Sequence, residues 1–425
     1  MLLKGSYESF TEKQKSKSRM SRELWDEMRR FLAWAGLGKE AFHAMLVFLA
    51  VRGLGKMQAF AQDLPKSERS PESVVLNLLR SSPEVLPSLA RLRPEARTLV
   101  TQCLKLHSRF NLAQLLQGEN TPDDIRVLQQ CLDEHGGELI KFYLVALLGI
   151  MCGIRGAETL SGSIFMDEAN GRSILSGINC LRELSDSGPR EIYWNYMNKR
   201  GSLLGLPTAT PEHFAMIRFA CLIRASSEAD LKVLQSSWYD MGLADRKILT
   251  DHFLADGIWE AAFVFVFLPL YFANARSNVC VGLRRAVGVL IGLIELLRVE
   301  GCHEQLGGET AVRVDISDLA SFTRQVKSPR MFEACPSHVN ITILGSEVRL
   351  SLTTKHWHRV GQSADHTTRT DDDNQEIYNL HLMNQVAHTA GNLEATLERI
   401  EQAMPQHRAV MTSARSPRGS NVMVL

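Results

Sequence analysis

An excess of charge of one sign is absent from this sequence, in which 48 lysine and arginine residues face 47 aspartate and glutamate residues. A net charge of +1 gives the chain no general attraction for nucleic acid or for an acidic membrane surface. Hydrophobic residues make up 45% of the 425 residues, as in ordinary globular proteins. We therefore expect a folded protein that does not bind nucleic acid.

Paired cysteines and a secretory signal are also absent. The eight cysteines are scattered and none forms a Cys-x-x-Cys pair, which indicates reduced intracellular thiols and not a disulfide framework. The first three residues are followed at once by Lys4 and a polar stretch, unlike a secretory signal. We expect an intracellular, cytoplasmic protein. Residues 1–20 are expected to be a polar, basic, disordered leader, with a transit peptide as the alternative.

No hydrophobic run is long enough for a membrane-spanning helix, which needs about 20 residues. Residues 142–154 and 261–273 each form an uncharged run of thirteen residues, and residues 286–294 form a run of nine. Runs of this length are typical of helices in a buried core. We predict three helices in one core and no stable membrane span. Docking of residues 261–273 onto a membrane is the alternative.

Catalytic motifs are missing as well: the sequence has no glycine-rich phosphate loop, Gly-x-Ser-x-Gly elbow or His-Glu-x-x-His motif. Histidines do cluster late in the chain. His356 and His358, with Asp371, have the ligand types that suit zinc, although their spacing matches no known metal motif. Cys302-His303-Glu304 names a nucleophile, a base and an orienting acid, but adjacent residues rarely converge on one point. No cofactor is expected.

Helix start signals dominate the part of the chain before residue 301. Four times a hydroxyl residue precedes a proline and an acid, a pattern that caps the first turn and meets the helix dipole. The hydroxyl residues are Ser70, Ser82, Thr121 and Thr210. Further helices are predicted over residues 21–35, 39–52, 94–106, 211–224, 228–238 and 286–299. We predict an all-helical domain over residues 21–305.

After this domain, the spacing of the hydrophobic residues changes from the helical period to a period of two residues. Residues 312–316 alternate as in a strand, and Ser317 is expected to cap a short helix. Residues 339–353 predict a hairpin with Gly345-Ser346 at its tip, because glycine tolerates the positive φ that a type II′ turn requires. The pairs expected on the apolar side are Ile343 with Val348, Ile341 with Leu350 and Val339 with Leu352.

A small α+β domain is therefore predicted over residues 310–405. A long helix with an apolar seam from Met383 to Met404 is expected to pack on the sheet, and residues 408–412 are a candidate last strand. The order β-α-β-β-α-β predicts a three- or four-stranded antiparallel sheet with helices, in a layout that matches the ferredoxin-like one. Residues 406–425 are expected to be a basic, disordered tail.

Two surfaces are candidates for binding. Residues 193–196, followed by Lys199 and Arg200, mix aromatic and basic side chains as nucleotide-stacking patches do, although aromatics tucked under a loop are the more ordinary interpretation. The polar face of the predicted sheet carries Arg313 and Arg349, which are expected to recognise an acidic protein partner. Charge reversal at these arginines is expected to weaken capture without lowering the melting temperature.

These observations predict a non-catalytic scaffold or adaptor that acts through protein–protein interaction and that is mostly α-helical. One alternative is an enzyme, possessing a site between the two domains and using Cys302, His356, His358 and the acidic loop around Asp371. The other is a peripheral membrane protein. The sequence does not determine the oligomeric state.

Overall fold

The computed structural model describes residues 5–353 with the exception of residues 63, 65–69, 160 and 309. The helices before the first strand are α1 (Tyr7–Thr11), α2 (Arg22–Ala35), α3 (Lys39–Leu54), α4 (Gln58–Ala61), α5 (Pro71–Ser81), α6 (Pro87–Ala90), α7 (Pro94–Arg109), α8 (Leu112–Leu116), α9 (Pro122–His135), α10 (Gly137–Gly153), α11 (Gly156–Thr159), α12 (Glu168–Leu181), α13 (Pro189–Leu204), α14 (Pro211–Leu222), α15 (Glu228–Tyr239) and α16 (Leu243–Leu254). The later elements are β1 (Ala262–Val266), α17 (Leu268–Ser277), α18 (Gly282–Val299), α19 (Cys302–Gln305), β2 (Ala311–Asp315), α20 (Ser317–Gln325), α21 (Pro329–Glu333), β3 (Val339–Leu344) and β4 (Glu347–Leu352). Short 3₁₀ helices cover Ser16–Ser18, Pro83–Val85, Arg182–Ser185 and Cys335–His338.

Most predicted helix starts are confirmed. The Ser70 and Thr210 side chains each accept a hydrogen bond from the backbone N–H three residues later, and Thr121 forms a capping box with Asp124. Ser82 differs, because it opens only the 3₁₀ turn Pro83–Val85 and makes no side-chain cap. Pro87 disfavours helical geometry at the residue before it, and Leu86 has φ −114° and ψ 61°.

The leader differs from its expectation between residues 5 and 20, where the chain folds onto the core. Phe10 is buried with its ring centroid 4.9 Å from that of Trp25, and Met20 is buried as well. The Gln14 side chain is also buried, and its Nε2 donates to the carbonyls of Ser163 and Met166 at 2.7 and 2.8 Å. Basic residues outnumber acidic ones by five to two in residues 1–20, but the apolar residues Phe10 and Met20 decide where this segment packs.

Two of the three apolar runs are buried helices, as predicted. Residues 142–153 belong to α10 and residues 286–294 to α18, and side chains from both lie in one hydrophobic core. The prediction of a single helix over residues 261–273 is wrong. Ala262–Val266 is the strand β1, Phe267 has φ +76°, and α17 begins only at Leu268. A strand buried on both faces has a continuous apolar sequence, so its period does not distinguish it from a buried helix.

In the described residues the sheet has four strands in the order β1-β2-β4-β3, and it is mixed, not antiparallel as predicted. β1 pairs with β2 and β2 with β4 in parallel, and only β3 and β4 are antiparallel. The predicted hairpin register is confirmed in full, with Ile341 opposite Leu350 and Leu344 opposite Glu347. Gly345 has φ +64°, as a primed turn requires.

The ferredoxin-like layout is present in part. β2, α20, β3 and β4 follow one another as expected, and β4 lies between β2 and β3. The place on the other side of β2, where a ferredoxin-like sheet has its last strand, is occupied by β1. The sheet thus takes a strand from within residues 21–305. The predicted helix from Met383 to Met404 and the candidate strand 408–412 lie outside the described residues.

Candidate functional site

Buried polar side chains gather where the helices meet the sheet. The Arg218 guanidinium on α14 is only 4% exposed, and its Nε and Nη1 donate to the carbonyls of Gly118 and Phe253 at 2.8 Å each. The buried Glu119 Oε1 accepts the N–H of Phe267 at 2.8 Å, which holds the left-handed residue between β1 and α17. These groups satisfy backbone atoms of the chain itself, so their role is structural.

The turn before β1 is held by a buried carboxylate. Asp256 Oδ1 accepts the backbone N–H groups of Ile258, Trp259 and Glu260 at 2.8 to 3.1 Å, and Oδ2 lies 3.5 Å from Arg190 Nε. Burial raises the pKa of Asp256, but the backbone hydrogen bonds outweigh burial and the pKa is lowered. A carboxylate held ionised by its own turn is unsuited to proton transfer at neutral pH.

Arg313 differs from the expectation of an open sheet face. Its Nη2 lies 2.6 Å from Asp124 Oδ1 on α9, and the Arg313 side chain is only about one third exposed. The same carboxylate accepts the N–H of Thr121 through Oδ2 at 2.8 Å. Arg313 therefore links β2 to the start of α9, and its charge is matched within the chain.

Arg349 lies farther out on the same face, on β4. Its Nη2 is 3.8 Å from Asp318 Oδ1, and both side chains are about 30% exposed. The neighbouring β3 positions on this face are Asn340 and Thr342, which are exposed. This face of the sheet is therefore covered at β1 and β2 and exposed at β3. Each of its two arginines lies beside a carboxylate.

The residues proposed for chemistry do not come together in the described part of the chain. His356, His358 and Asp371 lie outside the described residues. Cys302 is buried in the short helix α19, and burial, with the charges of Glu300 and Glu304, raises the pKa of its thiol. Across the described ranges, no group of three or more His, Cys, Asp or Glu residues has the geometry to hold a metal ion.

The two tyrosines of the aromatic patch at residues 193–196 belong to the interior, and Trp194 is partly buried against the core. Tyr193 and Tyr196 are fully buried on α13, and the Tyr196 hydroxyl donates to the carbonyl of Leu116 at 3.0 Å. Two surface grooves of about 340 and 530 Å³ lie elsewhere, between α7 and α9 and between α18 and the end of α21. Neither groove is lined by Cys302 or by the buried polar side chains that lie where the helices meet the sheet.

In the part of the chain that the structure describes, β3 forms the exposed edge of the sheet. Thr353 N–H donates to the His338 carbonyl at 2.9 Å, and the register continues this pattern through the even-numbered residues of β3. The N–H and C=O groups of Val339, Ile341 and Ile343 therefore point away from β4. Among the described residues, no hydrogen bond reaches these three outward positions. Within the described ranges, β3 therefore has an edge of three residues that no other strand pairs with.

The side chains of β3 make this edge unusual. Its sequence Val-Asn-Ile-Thr-Ile-Leu has no charged residue and no proline, two of the features with which edge strands usually prevent pairing. Ile343 and Leu344 at the hairpin tip are 36% and 55% exposed. The sequence predicted this hairpin and its uncharged composition, but not which strand lies at the edge. The signal available in the sequence was a run of strand-forming residues with no charged residue that would hinder pairing with another strand.

No single helix in the described ranges is long and apolar enough to cross a bilayer. Helices α2 and α3 are long and apolar enough only when they are taken together, and they are bent by 117° at their break.

Comparison with known proteins relates the chain to a family. No curated protein and no solved structure matches the chain. One family matches residues 1–337, a range that contains helices α1 to α21 together with β1 and β2 and ends just before β3. Because this match covers well over half of the 425 residues, the chain belongs to the family of unknown function DUF6829.

Proposed function

We propose that this protein is a non-catalytic, intracellular scaffold or adaptor, and that it binds a protein segment in extended conformation along the edge of β3. The observation that carries the proposal is the uncharged edge at Val339, Ile341 and Ile343, whose outward backbone groups have no partner among the described residues. An extended segment adds to such an edge as a further strand, gaining affinity from main-chain hydrogen bonds and specificity from alternate side chains.

The energetics favour this mode over recognition by the two arginines. Each outward residue supplies one N–H and one C=O, so the three residues can exchange six hydrogen bonds with an added strand. Each such bond contributes a net of roughly 0.5–1.5 kcal/mol. Arg313 and Arg349 already face carboxylates, so an acidic partner would have to compete with Asp124 and Asp318. A segment without net charge is the better complement.

The test begins with selection of displayed peptides of about 12 residues on the purified full chain. The affinity of each selected peptide is then measured for the wild type, Ile341→Pro and Ile341→Val. Proline removes the outward N–H of residue 341 but leaves the β3–β4 hydrogen bonds intact, and valine keeps every backbone group. We expect peptides with alternating apolar residues, bound equally by wild type and Ile341→Val and about tenfold more weakly by Ile341→Pro.

Peptides that bind wild type and Ile341→Pro alike would overturn the proposal, provided that circular dichroism shows both proteins folded. Metal content is measured on the same preparation. Stoichiometric zinc that is lost in His356→Ala and His358→Ala, together with turnover of a substrate, would favour the enzyme alternative. Retention on lipid vesicles after a high-salt wash would favour the peripheral membrane alternative.

A further inference from the structure

We propose, on the basis of the same edge and therefore of the proposed function, that the strand paired with β3 is β3 of a second copy of this chain. The two copies would lie antiparallel about a twofold axis through Ile341. Two four-stranded sheets would then join into one continuous sheet of eight strands.

The outward backbone groups are self-complementary in this register. Ile341 lies opposite Ile341 of the second copy, and Val339 lies opposite Ile343 in both directions. Each of these three pairs is of the hydrogen-bonded type, in which two residues exchange two bonds. All six outward groups of each β3 are therefore satisfied, and no other antiparallel self-pairing of β3 uses all three outward residues on both copies.

The side chains are self-complementary as well. The polarity of Val339–Ile343 is symmetric about Ile341, with apolar residues at odd positions and Asn340 and Thr342 at even ones. On one face Ile341 meets its own copy and Val339 meets Ile343, and on the other face Asn340 meets Thr342. No charge lies in the pairing, so no like charges are brought together. The opposite edge of the sheet does not compete, because the first four residues of β1 are buried.

The test uses the full chain, whose mass is measured by analytical ultracentrifugation over a range of concentrations. We expect a dimer for wild type and for Ile341→Val. Ile341→Pro loses two hydrogen bonds at the twofold axis, and its dissociation constant should rise on the order of 30-fold. Ile343→Lys, at an exposed tip position, should weaken the dimer in the same direction without removing a backbone group.

The register is tested with cysteine pairs. Asn340 of one copy and Thr342 of the other form a non-hydrogen-bonded pair, whose Cα separation of about 4.5 Å permits a disulfide. We expect that oxidation of a mixture of Asn340→Cys and Thr342→Cys proteins gives a cross-linked dimer, while either variant alone gives no more than wild type. Both positions are exposed, so folding should be preserved. Cross-linking of Asn340→Cys with itself would overturn this register.

Failure of this inference can be told from failure of the proposed function. If the chain stays monomeric yet binds selected peptides in a proline-sensitive manner, pairing with a second copy is refuted and the edge remains a binding site for other segments. A monomer with no proline-sensitive peptide overturns both. A dimer that Ile341→Pro leaves unchanged places self-association elsewhere and overturns the inference. A monomer that Val410→Pro converts into a dimer shows that residues 408–412 of the same chain occupy the edge, and overturns it as well.

Discussion

Protonation of His252 should make the fold sensitive to acid. This histidine, on α16, is 5% exposed, and its ring centroid lies 5.4 Å from those of Phe253 and Phe265. Burial lowers its pKa from 6.5 to about 3, and the positive charges of Arg218 and Arg298 add to the effect. The imidazole is therefore neutral in the folded protein throughout the mildly acidic range.

The direction and size of the effect follow from proton linkage. Below pH 6.5 the unfolded chain binds a proton at His252, while the folded chain does not until the pH approaches 3. Protonation of His252 therefore does not destabilise the fold above pH 6.5, and it destabilises the fold progressively as the pH falls from 6.5 toward 3. One pKa unit corresponds to about 1.4 kcal/mol, so His252 should cost the fold about 2 kcal/mol between pH 7 and pH 5.

The assay is urea unfolding, followed by circular dichroism, at pH 7 and at pH 5. The difference in unfolding free energy between the two pH values should be about 2 kcal/mol smaller for His252→Gln than for wild type, because the variant has nothing to protonate there. His135→Gln is the control, since it removes a partly exposed histidine of α9. An unchanged difference between the two pH values in a folded His252→Gln protein would refute the reasoning.

Three further predictions concern the sheet, namely strand β1, the hairpin turn and the two arginines of the polar face. Phe265→Asp should leave no folded protein by circular dichroism, because Phe265 is buried in β1 and an unpaired charge there costs several kcal/mol; a native melting transition would contradict this. Gly345→Val should lower the unfolding free energy by about 1–2 kcal/mol in a urea titration, because valine resists the φ of +64° at the turn, whereas the control Ser346→Ala should change it little. Arg313→Ala should cost about 1 kcal/mol by leaving the partly buried Asp124 without its cation, and Arg349→Ala about half of that or less. Equal effects of the two arginine variants on stability would argue against the link between β2 and α9.

Local signals in the sequence determined the hairpin and most helix starts. The register of β3 and β4 needs only the alternation of apolar residues and a glycine that accepts positive φ, and both lie within fifteen consecutive residues. The capping box at Thr121 likewise needs only Asp124, three residues later. Such features can be predicted because the interacting groups are neighbours along the chain.

The tertiary structure decided which elements meet and which edge stays open. β1 pairs with β2 about fifty residues later, from Ala262 to Ala311, so the apolar run that contains it could not be recognised as a strand from its own period. Arg313 pairs with Asp124, 189 positions earlier. Arg313 therefore links the sheet to a helix, although the sequence had suggested that it recognises a partner. Because β1 lies beside β2, β3 is the accessible edge of the sheet among residues 5–353. Strand pairing and burial depend on contacts distant in sequence, and these contacts set the candidate site.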